Sequence, residues 1–435
     1  MGRNFVLFWI GQFANFAASV VVGALLARHL GKAGLGVYVL VSTAGTTIPV
    51  LISFSLTHAL LCHVGRDKSS LDRYAGAAVT YPLVWAAALN LAALGAWRWQ
   101  LAGDLSGPVL IGGANLVAVQ HFGLFALAVL MASEDFAALS MATVASSLLH
   151  ILLVGLLWAC HALTVERALA ALCAAMAVKA VLMASAARLL QWPIRLELRP
   201  LRDLLGVGTR AHAHTVLQLL LESSGIFLLR AFKTDADVGL YSRARWLADV
   251  PLLAVRGAST VLWSRVAATP ASGRQQVADT VKTLRLASVM VLAACLGIFA
   301  AGRQVLVLIN GSQYADAYPI VLVLLPSLVG AAYWQVITSY FAGRGYNLFM
   351  IGAIAVALGV SIVLQVALTP RHGSWGTAVS SSLAYVFLGA AVTATFFREA
   401  RRREPTDRPE YSDDLPATPT SEEWGEGRAE PPRGL

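Results

Sequence analysis

Charged residues are scarce in this chain of 435 residues. Asp, Glu, Lys and Arg together make up 13% of the sequence, whereas hydrophobic residues make up 57%. Soluble domains carry about twice that share of charge. The composition therefore excludes an ordinary globular protein in water and favours a chain that lies in a membrane.

Cysteine is also rare, and the cysteines are not spaced as the ligands of a metal site or the partners of a disulfide framework usually are. The four cysteines, Cys62, Cys160, Cys173 and Cys295, lie in or beside apolar segments and form no CxxC motif. This argues against a disulfide framework and against a metal site. His212 and His214 are two residues apart and would point to different faces of a helix, so they are a poor metal pair. We therefore expect no cofactor.

The net charge of +9 is distributed unevenly along the chain. The segment from Glu399 to Leu435 has six Arg and ten acidic residues, which leaves +13 for the rest. These cations are spread over short loops between apolar segments, as the positive-inside rule describes, and they do not form a nucleic-acid surface. No nucleic-acid partner is expected.

Long apolar runs, in contrast, recur from one end of the chain to the other. A bilayer core about 30 Å thick is crossed by roughly 20 helical residues. The runs lack the alternation of barrel strands, so they predict an all-α polytopic membrane protein. About twelve transmembrane helices are expected, near residues 4–27, 37–62, 76–97, 108–132, 137–160, 167–189, 207–230, 239–262, 286–302, 317–341, 348–368 and 375–397. The first run is too long for a signal peptide and is interpreted as an uncleaved helix.

The loops and termini predict the orientation and the domains. Most loop Lys and Arg residues share a side with the N-terminus, so both termini are expected in the cytoplasm. Four parts are predicted, namely an N-terminal six-helix lobe (1–190), an amphipathic cytoplasmic linker (191–206), a C-terminal six-helix lobe (207–398) and a disordered cytoplasmic tail (399–435). For the tail, which is poor in aliphatic residues, a passive solubilising role is favoured over a partner-binding one.

The two halves share a short pattern. It consists of Arg28, Gly36, Tyr38 and Pro49 in the first half and of Arg230, Gly239, Tyr241 and Pro251 in the second. The intervals are 8, 2 and 11 residues against 9, 2 and 10. Six helices per half would insert both copies the same way up, so substrate would bind between two lobes that rock against each other. The prolines would kink their helices, although proline is also simply common in membrane helices.

Several segments carry a resemblance to a known family. They are ARHLGKAGLGVYVLVST, VGLYSRARWLADVP, VLINGSQYADAYPIVLVLLPSL and TPRHGSWGTAVSSSLAYV. Over about residues 5 to 398 the chain resembles the Wzx-like polysaccharide and O-antigen flippases, whose superfamily includes MATE multidrug transporters and lipid II flippases. The resemblance implies a MATE-like fold of two lobes. It also implies export of an undecaprenyl-pyrophosphate-linked oligosaccharide across the bacterial inner membrane, with a glycan polymerase or chain-length regulator as a further partner.

Charged residues within the predicted spans are the candidate site, because a charge in a membrane usually faces a cavity. On the eighth span, Arg245, Asp249 and Arg256 fall within about 60° of one face. Arg245 and Asp249 are i,i+4 neighbours and can pair, which leaves Arg256 to bind something else. Arg243 lies about 160° from Arg245 and is expected to snorkel near the outer interface.

Polar stripes on three other spans are expected to join these residues in one central cavity. They are Arg210, His214, Gln218 and Glu222 on the seventh span; Gln12, Asn15 and Ser19 on the first; and Ser42, Thr46, Ser53 and His58 on the second. The repeat pairs the first span with the seventh and the second with the eighth. The family often carries an acid followed by a basic residue midway along the seventh span, whereas this chain reads ESSGIF there, beginning at Glu222.

These residues receive the following predicted roles. Arg210, Arg245 and Arg256 would hold a pyrophosphate through charge-assisted hydrogen bonds. Gln12, Asn15 and Gln218 would meet sugar hydroxyls, and Glu222, Asp249 or His214 would couple export to a proton or sodium gradient. In the alternative, Arg245 and Asp249 are a structural pair, and Arg210 and Arg256 anchor helix ends.

Two other functions compete with a flippase. A MATE-like exporter of cationic drugs would need an acidic cavity, but arginines outnumber acids on the stripes. A membrane glycosyltransferase or glycan polymerase would need a sizeable outer loop with catalytic residues, and the largest predicted outer loop, Gly302 to Asp316, has about 15 residues. A transporter is therefore favoured over an enzyme.

Overall fold

The protein is all-α in the part of the chain that can be described. The computed structural model describes residues 2–54, 56–57, 59–60, 64, 71–99, 105–191, 209–268, 273–342 and 348–402. In these ranges there is no strand, and the α-helices are α1 (Gly2–Ile52), α2 (Leu71–Arg98), α3 (Gly107–Ala132), α4 (Phe136–Ala159), α5 (Val165–Ala186), α6 (Thr209–Phe232), α7 (Asp235–Asp249), α8 (Leu252–Ala268), α9 (Gly273–Asn310), α10 (Tyr318–Ala342), α11 (Leu348–His372) and α12 (Ser374–Arg402). Two 3-10 helices, Leu189–Gln191 and Ser312–Ala317, accompany them. The predicted fold class is confirmed.

Helix α1 contains two of the predicted spans. Gly31 has φ 69° and ψ −173°, a conformation that is essentially restricted to glycine, and it separates a helix over residues 2–30 from a helix over residues 32–52. Pro49 lies inside the second of these helices. The predicted second span continued to residue 62, whereas α1 ends at Ile52.

The predicted eighth span is two helices. It breaks at Pro251, between α7 and α8, because proline cannot donate the backbone hydrogen bond that a continuous helix requires. Ten helical segments of the described chain are long and apolar enough to cross a membrane, and the protein is a multi-pass membrane protein. The first of the ten is the kinked α1, and α7 and α8 are too short to be counted alone.

The helices pack in two groups. In the N-terminal lobe, α1 packs on α4, and α3 lies between α2 and α5. In the C-terminal lobe, α12 packs on α10 and α11, while α6 packs on α11 and α8 on α10. The main contacts between the lobes run from α1 to α6, α7 and α9. Except for Gln191 the predicted linker lies outside the described residues, and so does the predicted tail beyond Arg402.

The matched glycines of the sequence repeat lie where the lobes meet most closely. A Cβ atom on Gly36 would overlap the carbonyl oxygen of Asp235, and one on Gly239 would overlap the carbonyl oxygen of Lys32. The backbones of α1 and α7 are therefore in direct contact, which only residues without a side chain permit. We call this contact, together with the polar bonds described next, the inter-lobe seam.

Polar bonds complete the seam. Arg28 Nε donates to the carbonyl oxygen of Ile309 at 3.0 Å, and its Nη2 donates to that of Leu308. Gln313 Nε2 donates to the carbonyl oxygen of Ala27 at 2.9 Å. Lys32 Nζ lies 3.3 Å from Asp316 Oδ2, in an exposed ion pair of small expected energy. Under the predicted orientation the seam lies on the outer side of the membrane.

Candidate functional site

A cavity of about 300 Å³ lies between the two lobes, next to the seam. Its walls are Val39, Thr43, Thr46 and Thr47 of α1; Leu219, Glu222, Ser223 and Ile226 of α6; and Ser242, Arg243, Arg245, Trp246 and Asp249 of α7. A second contact between the lobes lies toward the opposite end, where Trp9 of α1 packs against Gly257 of α8. We call the 300 Å³ cavity between the lobes the inter-lobe cavity.

A smaller cavity of about 50 Å³ lies within the C-terminal lobe. It is lined by Gln218, Glu222, Arg245, Asp249, Leu252, Arg256, Ser327, Ala331, Trp334, Gln335 and Tyr385. This C-lobe cavity has room for one or a few water molecules. Glu222, Arg245 and Asp249 line both cavities and form the wall between them.

The wall contains the ion pair that the i,i+4 spacing predicts. Arg245 Nε lies 2.9 Å from Asp249 Oδ2, and the side chains are 20% and 39% exposed. The Arg245 guanidinium also lies 5.7 Å from the centre of the Tyr385 ring. Next to the pair, Gln218 Nε2 donates to Glu222 Oε1 at 3.1 Å. One of the two acids is therefore neutralised by Arg245, and the other accepts a neutral hydrogen bond.

Arg256 also lines the C-lobe cavity. It lies on α8, the helix that begins directly after the Pro251 break. Its side chain is exposed, and it forms no ion pair with an acid within the described ranges. The structure thus brings together five of the nine predicted residues around this cavity, namely Gln218, Glu222, Arg245, Asp249 and Arg256.

The other four predicted residues line neither cavity. His214 is 3% exposed and stacks on Trp334, with ring centres 5.4 Å apart. Arg210 lies in the first turn of α6 and is exposed. The imidazole of His214 therefore lies behind the wall of the C-lobe cavity, and Arg210 lies at a helix end.

Gln12 and Asn15 are exposed on the first half of α1. The same helix also exposes Ile10, Phe13 and Val21, which lie roughly opposite to them at 100° per residue. The apolar exposed face suits lipid, and the polar exposed face suits water. The helix thus has two exposed faces of different chemistry, and the polar one lies outside both cavities.

The single central cavity of the sequence prediction is therefore two cavities. Helical spacing shows which residues share a face, but it does not show which neighbour that face meets. Here the stripe of α6 turns toward α10, so Gln218 faces the C-lobe cavity instead of the space between the lobes, and Arg256 of α8 lines the same cavity.

Arg243 is the residue whose position differs most from expectation. It does not snorkel to the membrane interface but lines the inter-lobe cavity, with its guanidinium in the space that a side chain on Gly23 would fill. A signal for this position was present in the sequence. Arg243 follows the repeat glycine Gly239 by four residues, so both lie on the helix face that meets α1.

Solved structures define the class of the fold. The chain has a TM-score of 0.70 with a multidrug resistance MATE family transporter of the MOP superfamily in an inward-facing conformation, at 16% identity over 91% of this chain and 98% of that one. A MOP superfamily transporter from Pyrococcus furiosus, described as having a binding pocket of reverse polarity, gives 0.66 at 16% identity over 92% and 95%. The lipid II flippase MurJ in an inward closed conformation gives 0.69 at 11% identity over 90% and 87%. The fold is therefore that of the MOP-superfamily transporters.

The sequence gives the family within that class. Residues 25–319 match the family described as polysaccharide biosynthesis protein, and the chain belongs to this family. The predicted resemblance to polysaccharide flippases of the MOP superfamily is confirmed. No curated protein sequence matches the chain significantly.

Proposed function

We propose that the protein is a flippase that moves an oligosaccharide linked to undecaprenyl pyrophosphate across the bacterial inner membrane by alternating access. One observation carries the proposal. The described walls of the two cavities contain three arginines, Arg243, Arg245 and Arg256, against two acids, Glu222 and Asp249. Because Asp249 is paired with Arg245, the two remaining arginines have no acidic partner within the described ranges.

This excess of positive charge suits a pyrophosphate group. Arginine binds phosphate oxygens through charge-assisted hydrogen bonds, and such a pair is strongest where water is excluded. The threonines of α1 in the inter-lobe cavity, Thr43 and Thr46, offer hydroxyls to a sugar. In this proposal the product would pass to a glycan polymerase or a chain-length regulator on the outer side.

Coupling to an ion gradient would use the wall between the cavities. Glu222 and Asp249 are the two acids that line both spaces, so a proton or sodium ion bound there would be close to the substrate cavity. His214 is less well placed for this role, because it is buried against Trp334. An exporter of organic cations fits the site less well, since the described walls contain three arginines against two acids.

Replacing Arg256 with alanine tests the proposed function in cells. In a bacterial strain whose surface glycan depends on this protein, Arg256→Ala is expected to abolish surface glycan while the amount of protein in the membrane stays normal. The loss follows from removing a cation that the substrate neutralises, which costs about 2 kcal/mol or more of binding. Glycan would be measured by gel staining, and protein by immunoblot.

Arg371→Ala is the matched control. Arg371 is also an exposed arginine, at the end of α11, but it lines neither cavity. It should keep full surface glycan. Normal glycan in the Arg256 variant would remove this residue from the substrate site, and equal loss in both variants would show that the effect is not specific to the cavity.

A further inference from the structure

Helix α9 is longer than a bilayer core requires. It has 38 residues and measures about 57 Å, whereas roughly 20 helical residues cross the apolar core. Its exposed large apolar side chains begin only at Leu286. Up to the middle of the helix they are Leu286, Val289, Leu292, Leu296 and Phe299, which we call the lipid stripe. The first turns of α9, residues 273–285, therefore precede the part of the helix that suits lipid.

Two cations lie on the same face of α9, directly before the lipid stripe. Lys282 and Arg285 are both exposed. At 100° per residue, these two side chains and those of Val289, Leu292 and Leu296 fall within about 80° of helix surface. One exposed face of α9 therefore changes from basic to apolar within a single turn.

The charges of Lys282 and Arg285 are available to a ligand. Neither residue forms an ion pair with an acid within the described ranges. Asp279 is the one acid among residues 273–285 of the sequence, and it accepts a hydrogen bond from Gln275 Nε2 at 3.2 Å. The face thus presents two positive charges three residues apart.

The depth of the two cations matches the headgroup layer of a bilayer. Arg303 is exposed on the same face, 18 residues after Arg285, so about 27 Å of helix separates these arginines. This length is close to the hydrocarbon thickness of about 30 Å, and the headgroups add about 5 to 8 Å on each side. Lys282 lies about 4.5 Å beyond Arg285 along the axis. Both cations therefore lie level with lipid phosphates, on the cytoplasmic side under the predicted orientation.

The opposite face of α9 holds this segment against the C-terminal lobe. Thr280 and Leu284 are buried on that face. Gln276 Nε2 donates to the carbonyl oxygen of Val266, near the end of α8, at 3.3 Å. The start of α9 is therefore packed on its neighbours, so the two cations are presented in a fixed position.

We propose that Lys282 and Arg285 bind the phosphate group of an anionic phospholipid, such as phosphatidylglycerol, at the membrane surface. An ammonium and a guanidinium only donate hydrogen bonds, and a lipid phosphate offers acceptor oxygens and the opposite charge. The acyl chains of the same lipid lie along the lipid stripe. A protein partner fits this face less well, because it would have to displace the lipid that covers the stripe. The inference does not depend on which substrate the protein carries.

A lipid in this position acts on the helices around the C-lobe cavity. Helix α9 packs on α8 and α10. These two helices contribute Arg256 and Ser327 to the walls of that cavity. Because a ligand that binds only the folded state stabilises it, the bound lipid stabilises this part of the C-terminal lobe.

Lipid titration of the purified protein tests the site. Delipidated protein in detergent would be titrated with phosphatidylglycerol or with zwitterionic phosphatidylcholine, and bound lipids would be counted by native mass spectrometry. The parent protein should bind phosphatidylglycerol at the lower concentration. In the Lys282→Gln, Arg285→Gln double variant this binding should weaken about tenfold or more, because each cation near a lipid surface contributes roughly fivefold. Phosphatidylglycerol should also raise the midpoint of thermal unfolding more in the parent than in the double variant.

Two control variants make the result specific. Arg303→Gln removes an exposed arginine beyond the other end of the lipid stripe and should bind phosphatidylglycerol like the parent. Lys282→Arg combined with Arg285→Lys keeps both charges and should also retain binding. Equal binding by the double glutamine variant and the parent would overturn the site, and so would equal weakening in Arg303→Gln or in the charge-swapped protein. Displacement of phosphatidylglycerol by a far lower concentration of undecaprenyl phosphate would assign the pair to a carrier lipid and overturn the choice of phospholipid.

Discussion

Replacing Gly239 with alanine is expected to abolish export, because the new Cβ atom would overlap the carbonyl oxygen of Lys32. The obstacle is backbone, so no side-chain rotation can relieve it. A clash of this kind costs about 3 kcal/mol, which lowers the population of the closed seam about a hundredfold. Spin labels on Cys160, which is exposed at the end of α4, and on His372→Cys, at the exposed end of α11, would report this in a protein whose Cys62, Cys173 and Cys295 are serine. Their distance distribution should shift to longer distances, and transport should fall in parallel.

Two companion variants make this result specific. Gly36→Ala should have the same effect, because its Cβ atom would overlap the carbonyl oxygen of Asp235 from the other lobe. Gly155→Ala, in α4, has no atom within 4 Å of the new Cβ and should leave both distance and transport unchanged. A seam that closes normally in Gly239→Ala would show that the backbone contact of α1 and α7 is not required for closure.

Breaking the Arg245–Asp249 pair is expected to damage both stability and transport, whereas removing both charges should damage transport alone. Asp249→Leu leaves the Arg245 guanidinium partly buried without its carboxylate, which costs about 1 to 3 kcal/mol. Arg245→Met leaves the carboxylate unpaired in the same way. The double variant replaces both charges by apolar groups and should recover most of the lost stability.

Thermal unfolding in detergent and glycan export, measured on the same four proteins, separate the two roles of the pair. A double variant that is stable but inactive shows that the charged wall takes part in transport. A double variant that is stable and active would make the pair structural, which is the alternative that the sequence leaves open.

Much of the fold can be predicted from the sequence because lipid imposes simple rules. A run of about 20 apolar residues must be a helix, so the spans and the all-α class follow from hydropathy alone. The start of α9 at Gly273 cannot be predicted from hydropathy. Its first turns contain Gln275, Asp279 and Lys282, and this polar stretch does not resemble a membrane span. The break at Pro251 could be predicted as a kink but not as a complete interruption.

Less of the candidate site than of the fold can be predicted from the sequence. The i,i+4 spacing predicts the Arg245–Asp249 pair correctly, because both partners lie on one helix. The division into two cavities depends on how α6 is rotated toward α10, which no local pattern encodes. The position of Arg243 depends on its contact with Gly23, which is far away in the sequence.

Translocation of a labelled lipid in a purified system tests the central claim most directly. Proteoliposomes would contain the protein and an undecaprenyl-pyrophosphate oligosaccharide whose sugar is accessible to an added glycosidase only in the outer leaflet. Under the proposed function, in which a pyrophosphate headgroup moves through a positively lined cavity, nearly all of the lipid should become cleavable, against about half in protein-free liposomes. The Arg256→Ala and Gly239→Ala proteins should resemble protein-free liposomes, and a fluorescent organic cation should not be moved. Cleavage that stops at half with the intact protein, or transport of the organic cation in its place, would contradict the proposed function.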